Sequence, residues 1–253
     1  MLPRAGKRLD AWLRPRGARP LVLGHRGARH AAPENTLRAF ELALAEGADG
    51  IELDVRLDAD ERVIVLHDRT LARVTEGSVG RDVEKLGAHE LDRASLRGER
   101  VPLLADVLAW ARSRQTRVNV ELKSDVSRPL ALVREVCRVV RASGVGAEAI
   151  LFSSFHPGLV AGLAARMPGI PRAWLIDAGA WAVRGAPGFR LFANGVNPHR
   201  ALVTAEAMAR WKSSDTVIST WTVNDPEEAR RLSDLGVDAI ISDVPGKILG
   251  TLS

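Results

Sequence analysis

The chain has 253 residues, 46% of them hydrophobic, enough for one large core and close to the size at which a single α/β barrel closes. Its formal net charge is +5, and residues 1–20, with six basic side chains and one acidic, hold all of it, so residues 21–253 are neutral overall. The pI of about 10.1 therefore implies no basic face on the main body, and nucleic-acid binding is not expected.

The basic residues are 31 Arg against five Lys, and the lone cysteine, Cys137, cannot form an intramolecular disulfide. No apolar run is long enough for a signal peptide or a membrane span, so a cytoplasmic protein without stable membrane insertion is expected. In the basic segment 1–20, Leu9, Trp12 and Leu13 recur at helical spacing. That spacing predicts a helix covering a barrel floor, with a helix lying on an anionic membrane as the alternative.

Residues 21–253 read as one domain. Eight short β-branched runs, at 21–24, 50–55, 117–122, 149–154, 171–176, 191–197, 216–222 and 239–243, alternate with amphipathic segments at 33–47, 101–114, 128–144, 156–167, 200–211 and 225–236. This alternation predicts a (β/α)8 TIM-type barrel. RVIVLHD, 62–68, follows a turn-like Asp58-Ala59-Asp60-Glu61 and predicts a hairpin, and residues 69–100 a small excursion, both above the C-terminal rim. No GxGxxG or GxxxxGK[ST] motif is present, so nucleotide-cofactor chemistry has no support.

In IELDV, Glu52 and Asp54 flank Leu53, and strand alternation turns both carboxylates to one side. VELKS repeats the device with Glu121 and Lys123. Charges at strand ends face the mouth of a barrel, where three converging carboxylates suit a hard divalent ion, Mg²⁺, Ca²⁺ or Mn²⁺. The competing reading pairs them with Arg56, Lys123 or other rim cations. His25 ends strand 1 and His67 closes the hairpin, so the two can supply an acid and a base; His30, His89, His156 and His199 read as surface or packing residues. Arg26 and Lys123 add two fixed positive charges, and with one divalent ion the site carries +1, the complement of one phosphodiester.

His25-Arg26-Gly27, Pro33-Glu34-Asn35-Thr36, Glu52-Leu53-Asp54-Val55, His67-Asp68, Glu121-Leu122-Lys123, Ser154-Phe155 and Trp221-Thr222-Val223-Asn224 together resemble the glycerophosphodiester phosphodiesterases over about Val22 to Pro245. The resemblance implies a barrel enzyme that hydrolyses small glycerophosphodiesters to an alcohol and sn-glycerol 3-phosphate. It implies Glu52, Asp54 and Glu121 as metal ligands, His25 as base and His67 as acid, and Arg26 and Lys123 as phosphate contacts. Trp221 and Phe155 are then expected against the substrate, with Glu34 orienting His25 or Arg26; attack by the glycerol 2-hydroxyl through a cyclic phosphate is an open route.

Local chemistry gives some residues structural roles. Pro33-Glu34-Asn35-Thr36 reads as a helix opening, Asp225-Pro226-Glu227-Glu228 as a capping box, and Asp243 as a cap of the last helix. Two rivals share the fold. A lysophospholipase D or sphingomyelinase D-like enzyme requires an exposed apolar patch, for which Trp110, Trp181 and Phe189 are the candidates, and a catalytically silent phosphate-binding barrel requires loss of a site residue.

Overall fold

The β-branched runs form strands buried on both faces, as a parallel sheet covered by helices requires. A computed structural model describes residues 6–75, 77, 79–179, 188–213 and 215–252. Its strands are β1 (Leu21–His25), β2 (Gly50–Leu57), β3 (Val63–Val65), β4 (Arg117–Leu122), β5 (Ile150–Ser154), β6 (Arg172–Ile176), β7 (Gly195–Pro198), β8 (Val217–Thr220) and β9 (Ala239–Ser242). All except β3 are parallel, and β1 pairs with both β9 and β2, which closes an eight-stranded barrel. The short β3 runs antiparallel to β2, with Val55 opposite Val65, and forms the expected hairpin.

Alternation divides each strand between two environments. On β2 and β4, Ile51, Leu53, Val55, Val118, Val120 and Leu122 face outward and join one core with the helices. Those helices include α4 (Leu104–Arg114) and α5 (Pro129–Ser143). On α5 the buried stripe Leu132, Val133, Val136, Cys137 and Val140 has the period of a helix face, with Pro129 in the first turn. The remaining helices are α1 (Gly6–Asp10), α2 (Leu37–Ala45), α3 (Ala88–Asp92), α6 (Pro157–Arg166), α7 (Ala205–Trp211), α8 (Pro226–Asp234) and α9 (Pro245–Leu252).

The end of α1 and the turn after it pack beneath the barrel. Leu9 and the fully buried Trp12 cluster with the strand residues Leu23, Leu151, Ala173, Val217 and Ile241, and the Trp12 indole donates to Glu148 O at 2.9 Å. The excursion after β3 has a small core of its own, in which Leu71, Val83, Leu86, Leu91 and Leu96 pack on Ile64 and Leu66 of the hairpin.

Three local expectations are corrected. The strand expected at 191–197 starts only at Gly195, because Leu191 and Phe192 belong to a tight turn. The helical segment 200–211 divides into a turn at Arg200–Leu202 and α7, with the Thr204 side chain accepting from Ala207 N. Pro33, Glu34 and Asn35 precede α2 rather than forming its first turn, since Thr36 is the N-cap and accepts from Ala39 N. Asp225 does cap α8, accepting from Glu228 N at 3.0 Å.

Candidate active site

The carboxylates come together as alternation requires. Asp54 and Glu121 are register partners on β2 and β4, and Glu52 lies two residues before Asp54 on the same face. Glu52, Asp54 and Glu121 are buried, and each offers an oxygen within 4.8 Å of the others. Lys123 Nζ lies 2.8 Å from Glu121 Oε1 and 3.3 Å from Asp54 Oδ1. Part of the rim ion-pair reading therefore holds for Lys123. It fails for Arg56, which pairs with Asp125 at 2.6 Å.

Arg26 occupies a tight bend after β1, with φ 57°, followed by Gly27 at φ 83°. A Cβ on Gly27 would lie 2.5 Å from the Ala39 carbonyl carbon, so only glycine allows this bend to lie against α2. The bend directs Arg26 N to Glu52 Oε2 at 3.1 Å and sets its guanidinium between Asp54, at 3.2 Å, and Glu34, at 2.9 Å. Glu34 also takes two bonds from Arg73, at 2.6 and 2.9 Å. Glu34 thus bonds Arg26, one of the two partners expected for it. Asn35 donates to Asp54 Oδ2 at 3.0 Å.

Both site histidines are anchored through Nδ1. His25 Nδ1 lies 2.6 Å from Asp243 Oδ1, and His67 Nδ1 lies 2.7 Å from Asp68 Oδ1. A carboxylate on Nδ1 favours the tautomer protonated there, which leaves Nε2 as the acceptor. Asp243 is therefore not the helix cap its position suggests: its side chain bonds His25 and Asn224 Nδ2, and Ser242 Oγ bonds Val244 N instead. Among the other histidines, His30 pairs with Glu46, His156 caps α6, and His199 caps a turn and meets the Trp221 ring edge-on at 5.2 Å.

Burial dominates the electrostatics. It raises Glu52 well above the ordinary carboxylate range, with repulsion from Asp54 and Glu121 adding to it. Burial likewise pushes Glu121 up to about 6, against the pull of Lys123. For Asp54 burial acts in the same direction, but Lys123, Arg26 and His67 outweigh it and hold the carboxyl down. Burial lowers both His25 and His67 from the ordinary imidazole value, against the opposing pull of Asp243 on the first and Asp54 on the second. Two buried acids that resist ionisation beside a third are what a cation would relieve, and an all-oxygen donor set suits a hard ion. Glu52, Asp54 and Glu121 fit such an ion.

These groups line one cavity of about 220 Å³, to which His25, Arg26, Glu52, His67, Glu121 and Lys123 contribute the charged side. Phe155, Leu175, Trp221 and Ile241 form an apolar side. Phe155 and Trp221 meet edge to face at 5.5 Å, and Trp221 Nε1 donates to Asn197 O at 2.9 Å. Every residue expected in the site lines this cavity except Asp54 and Glu34, both of which bond residues that do. Of the patch candidates, Phe189 is buried, Trp110 packs on Phe40 and bonds Glu41, and Trp181 lies outside the described residues. No helix among the described residues is long and apolar enough to cross a membrane.

A parallel barrel with three carboxylates, two fixed cations and two carboxylate-anchored histidines at one cavity has the build of a barrel hydrolase. The model of the glycerophosphoryl diester phosphodiesterase family matches residues 25–247. The chain is 33% identical over 241 residues to a glycerophosphodiester phosphodiesterase of Bacillus altitudinis, covering 89% of this chain and 95% of that one. It is 29% identical over 238 residues to one from Caldanaerobacter subterraneus, covering 90% and 96%. The structure of an Oleispira antarctica phosphodiesterase in complex with its product sn-glycerol-3-phosphate is similar, with a TM-score of 0.83, 26% identity, and coverage of 92% of this chain and 97% of that one. The chain belongs to the glycerophosphoryl diester phosphodiesterase family.

Proposed function

We propose that the chain hydrolyses glycerophosphodiesters to an alcohol and sn-glycerol 3-phosphate, with His25 and His67 as the proton-transfer pair and Glu52, Asp54 and Glu121 as ligands of one divalent ion. The observation that carries this reading is the convergence of the acidic triad and both anchored histidines on one cavity. The product bound to the Oleispira antarctica relative supports the substrate class.

Arg26 and Lys123 bind the non-bridging phosphate oxygens, the first as a fork and the second as a point charge. With the ion, the three carboxylates, Arg26 and Lys123 leave the site one positive charge, which one phosphodiester neutralises. A divalent cation supplies Lewis-acid polarisation of the phosphoryl group there. His25 accepts at Nε2 the proton of the nucleophile, either water or the glycerol 2-hydroxyl whose cyclic phosphate water then opens, and Asp243 stabilises the resulting imidazolium. His67 enters the step as the imidazolium, with its Nδ1–H held by Asp68, and gives its Nε2 proton to the departing alkoxide. Trp221 and Phe155 give the glycerol carbons an apolar surface.

The test is release of the head-group alcohol, choline or ethanolamine, from glycerophosphocholine, glycerophosphoethanolamine and lysophosphatidylcholine, each with Mg²⁺, Ca²⁺, Mn²⁺ or EDTA, with sn-glycerol 3-phosphate as the second product of the first two and lysophosphatidate of the third. Metal-dependent turnover of the deacylated diesters is expected. Turnover of the lysolipid alone would replace this reading with a lipid phospholipase D, and silence on all three would leave a phosphate-binding barrel.

A further inference from the structure

The charged side of the cavity accounts for phosphate, cation and protons, but its polar floor is unassigned. Asn119 lies on β4 two residues before Glu121, on the same inward face and in register with Glu52. It is 1% exposed and lines the cavity beside Ser153, itself in register with Glu121 on β5. Ser153 Oγ donates to Asn119 Oδ1 at 2.9 Å, which fixes the amide plane. That bond leaves Asn119 Nδ2 buried without a hydrogen-bond partner.

Such an amide is costly in a barrel interior, a layer that branched apolar residues ordinarily fill. A group entering this cavity would meet a donor on the β4 side and the apolar surfaces of Leu175 and Ile241 elsewhere. A hydroxyl on a short carbon chain satisfies both surfaces, whereas a quaternary ammonium offers the amide no acceptor. Charge selects the phosphate, but it cannot distinguish a glycerol ester from a simple alkyl ester; a neutral donor at fixed depth can.

We propose that Asn119, held by Ser153, is a positioning residue whose Nδ2 donates to a glycerol hydroxyl oxygen and so makes the site read the polyol half of the substrate. The inference rests on the diesterase reading above. It does not depend on which histidine is acid or base.

The test compares two ligands by calorimetry on the full chain with Mg²⁺: sn-glycerol 3-phosphate, and propyl phosphate, which keeps the phosphate and three-carbon chain without the hydroxyls. The wild-type protein should bind the glycerol ester about tenfold more tightly, the scale of one or two neutral hydrogen bonds. Asn119→Ala should reduce that ratio to within about twofold while leaving propyl phosphate affinity unchanged. Ser153→Ala, which frees the amide plane, should give an intermediate ratio and serves alone if Asn119→Ala does not fold. A wild-type ratio near one, equal weakening of both ligands by Asn119→Ala, or an unchanged ratio in Ser153→Ala where it alone folds would each overturn the proposal. Failure of the wild-type protein to bind either ligand would instead strike the diesterase reading, and the inference with it.

Discussion

His25 and Asp243 stand 218 positions apart in the chain, yet their Nδ1 and Oδ1 atoms lie 2.6 Å apart across the seam where β1 meets β9. Burial lowers the pKa of His25, and the Asp243 bond is the largest influence raising it. Asp243→Asn removes that opposition, so the imidazole loses its proton at a lower pH than in the wild type. If His25 is the base, the acid limb of kcat/KM should move to lower pH while kcat falls roughly 10- to 100-fold through loss of the tautomer anchor. A rate loss with an unmoved acid limb would assign that limb to another group.

The two histidines make a separate prediction. His25→Ala and His67→Ala should each lower kcat by about 10² or more, the usual scale of general acid–base catalysis. The double variant should lose less than the product of the two, because neither transfer is useful without the other. Steady-state kinetics on glycerophosphocholine measures all three, and wild-type turnover in either single variant would remove that histidine from the mechanism.

Much of this site is legible in the sequence because strand alternation is a local rule. Glu52 and Asp54 must share a face, as must Glu121 and Lys123, and barrel closure then brings the two pairs together. Asp243 is misread for the opposite reason. Within the chain its neighbour is α9, whereas its true partner is adjacent only once β9 and β1 pair. The same limit hides Arg73, which reaches Glu34 from the excursion, and Asn119, whose polarity passes unnoticed within a strand pattern. The strand start at Gly195 is missed because Leu191 and Phe192 are apolar in a turn, where composition and conformation disagree.

Glu52 offers a test of the metal assignment that does not depend on turnover. Its carboxyl is raised by burial and by repulsion from Asp54 and Glu121, so in the metal-free protein its charge is unfavourable. Glu52→Gln removes that charge at nearly constant volume. In EDTA the melting temperature should equal or exceed that of the wild type, whereas the rise produced by saturating Mg²⁺ or Mn²⁺ should shrink or vanish as affinity falls at least tenfold. Thermal melts with and without metal measure both effects. A full metal-induced rise in the variant would exclude Glu52 as a ligand.

Trp12 tests the opposite end of the barrel. Its indole is fully buried among Leu23, Leu151 and Val217 and donates to Glu148 O, which adds packing and a hydrogen bond to the polar ties that Arg8 makes to Gly169 O and Arg14 to Asp238 and Ser233 O. Trp12→Ala leaves a cavity there and an unpaired carbonyl, a combination that costs about 3–5 kcal/mol in typical cores. At roughly 2–4 °C per kcal/mol for a chain of this size, the melting temperature should fall by about 10 °C or more. Because the histidines and carboxylates lie at the other end of the strands, kcat at 25 °C should stay within about twofold of the wild type. If the segment were a membrane-surface helix instead, Trp12→Ala would leave the melting temperature unchanged and weaken binding to anionic vesicles. The two measurements therefore separate a structural floor from a membrane contact.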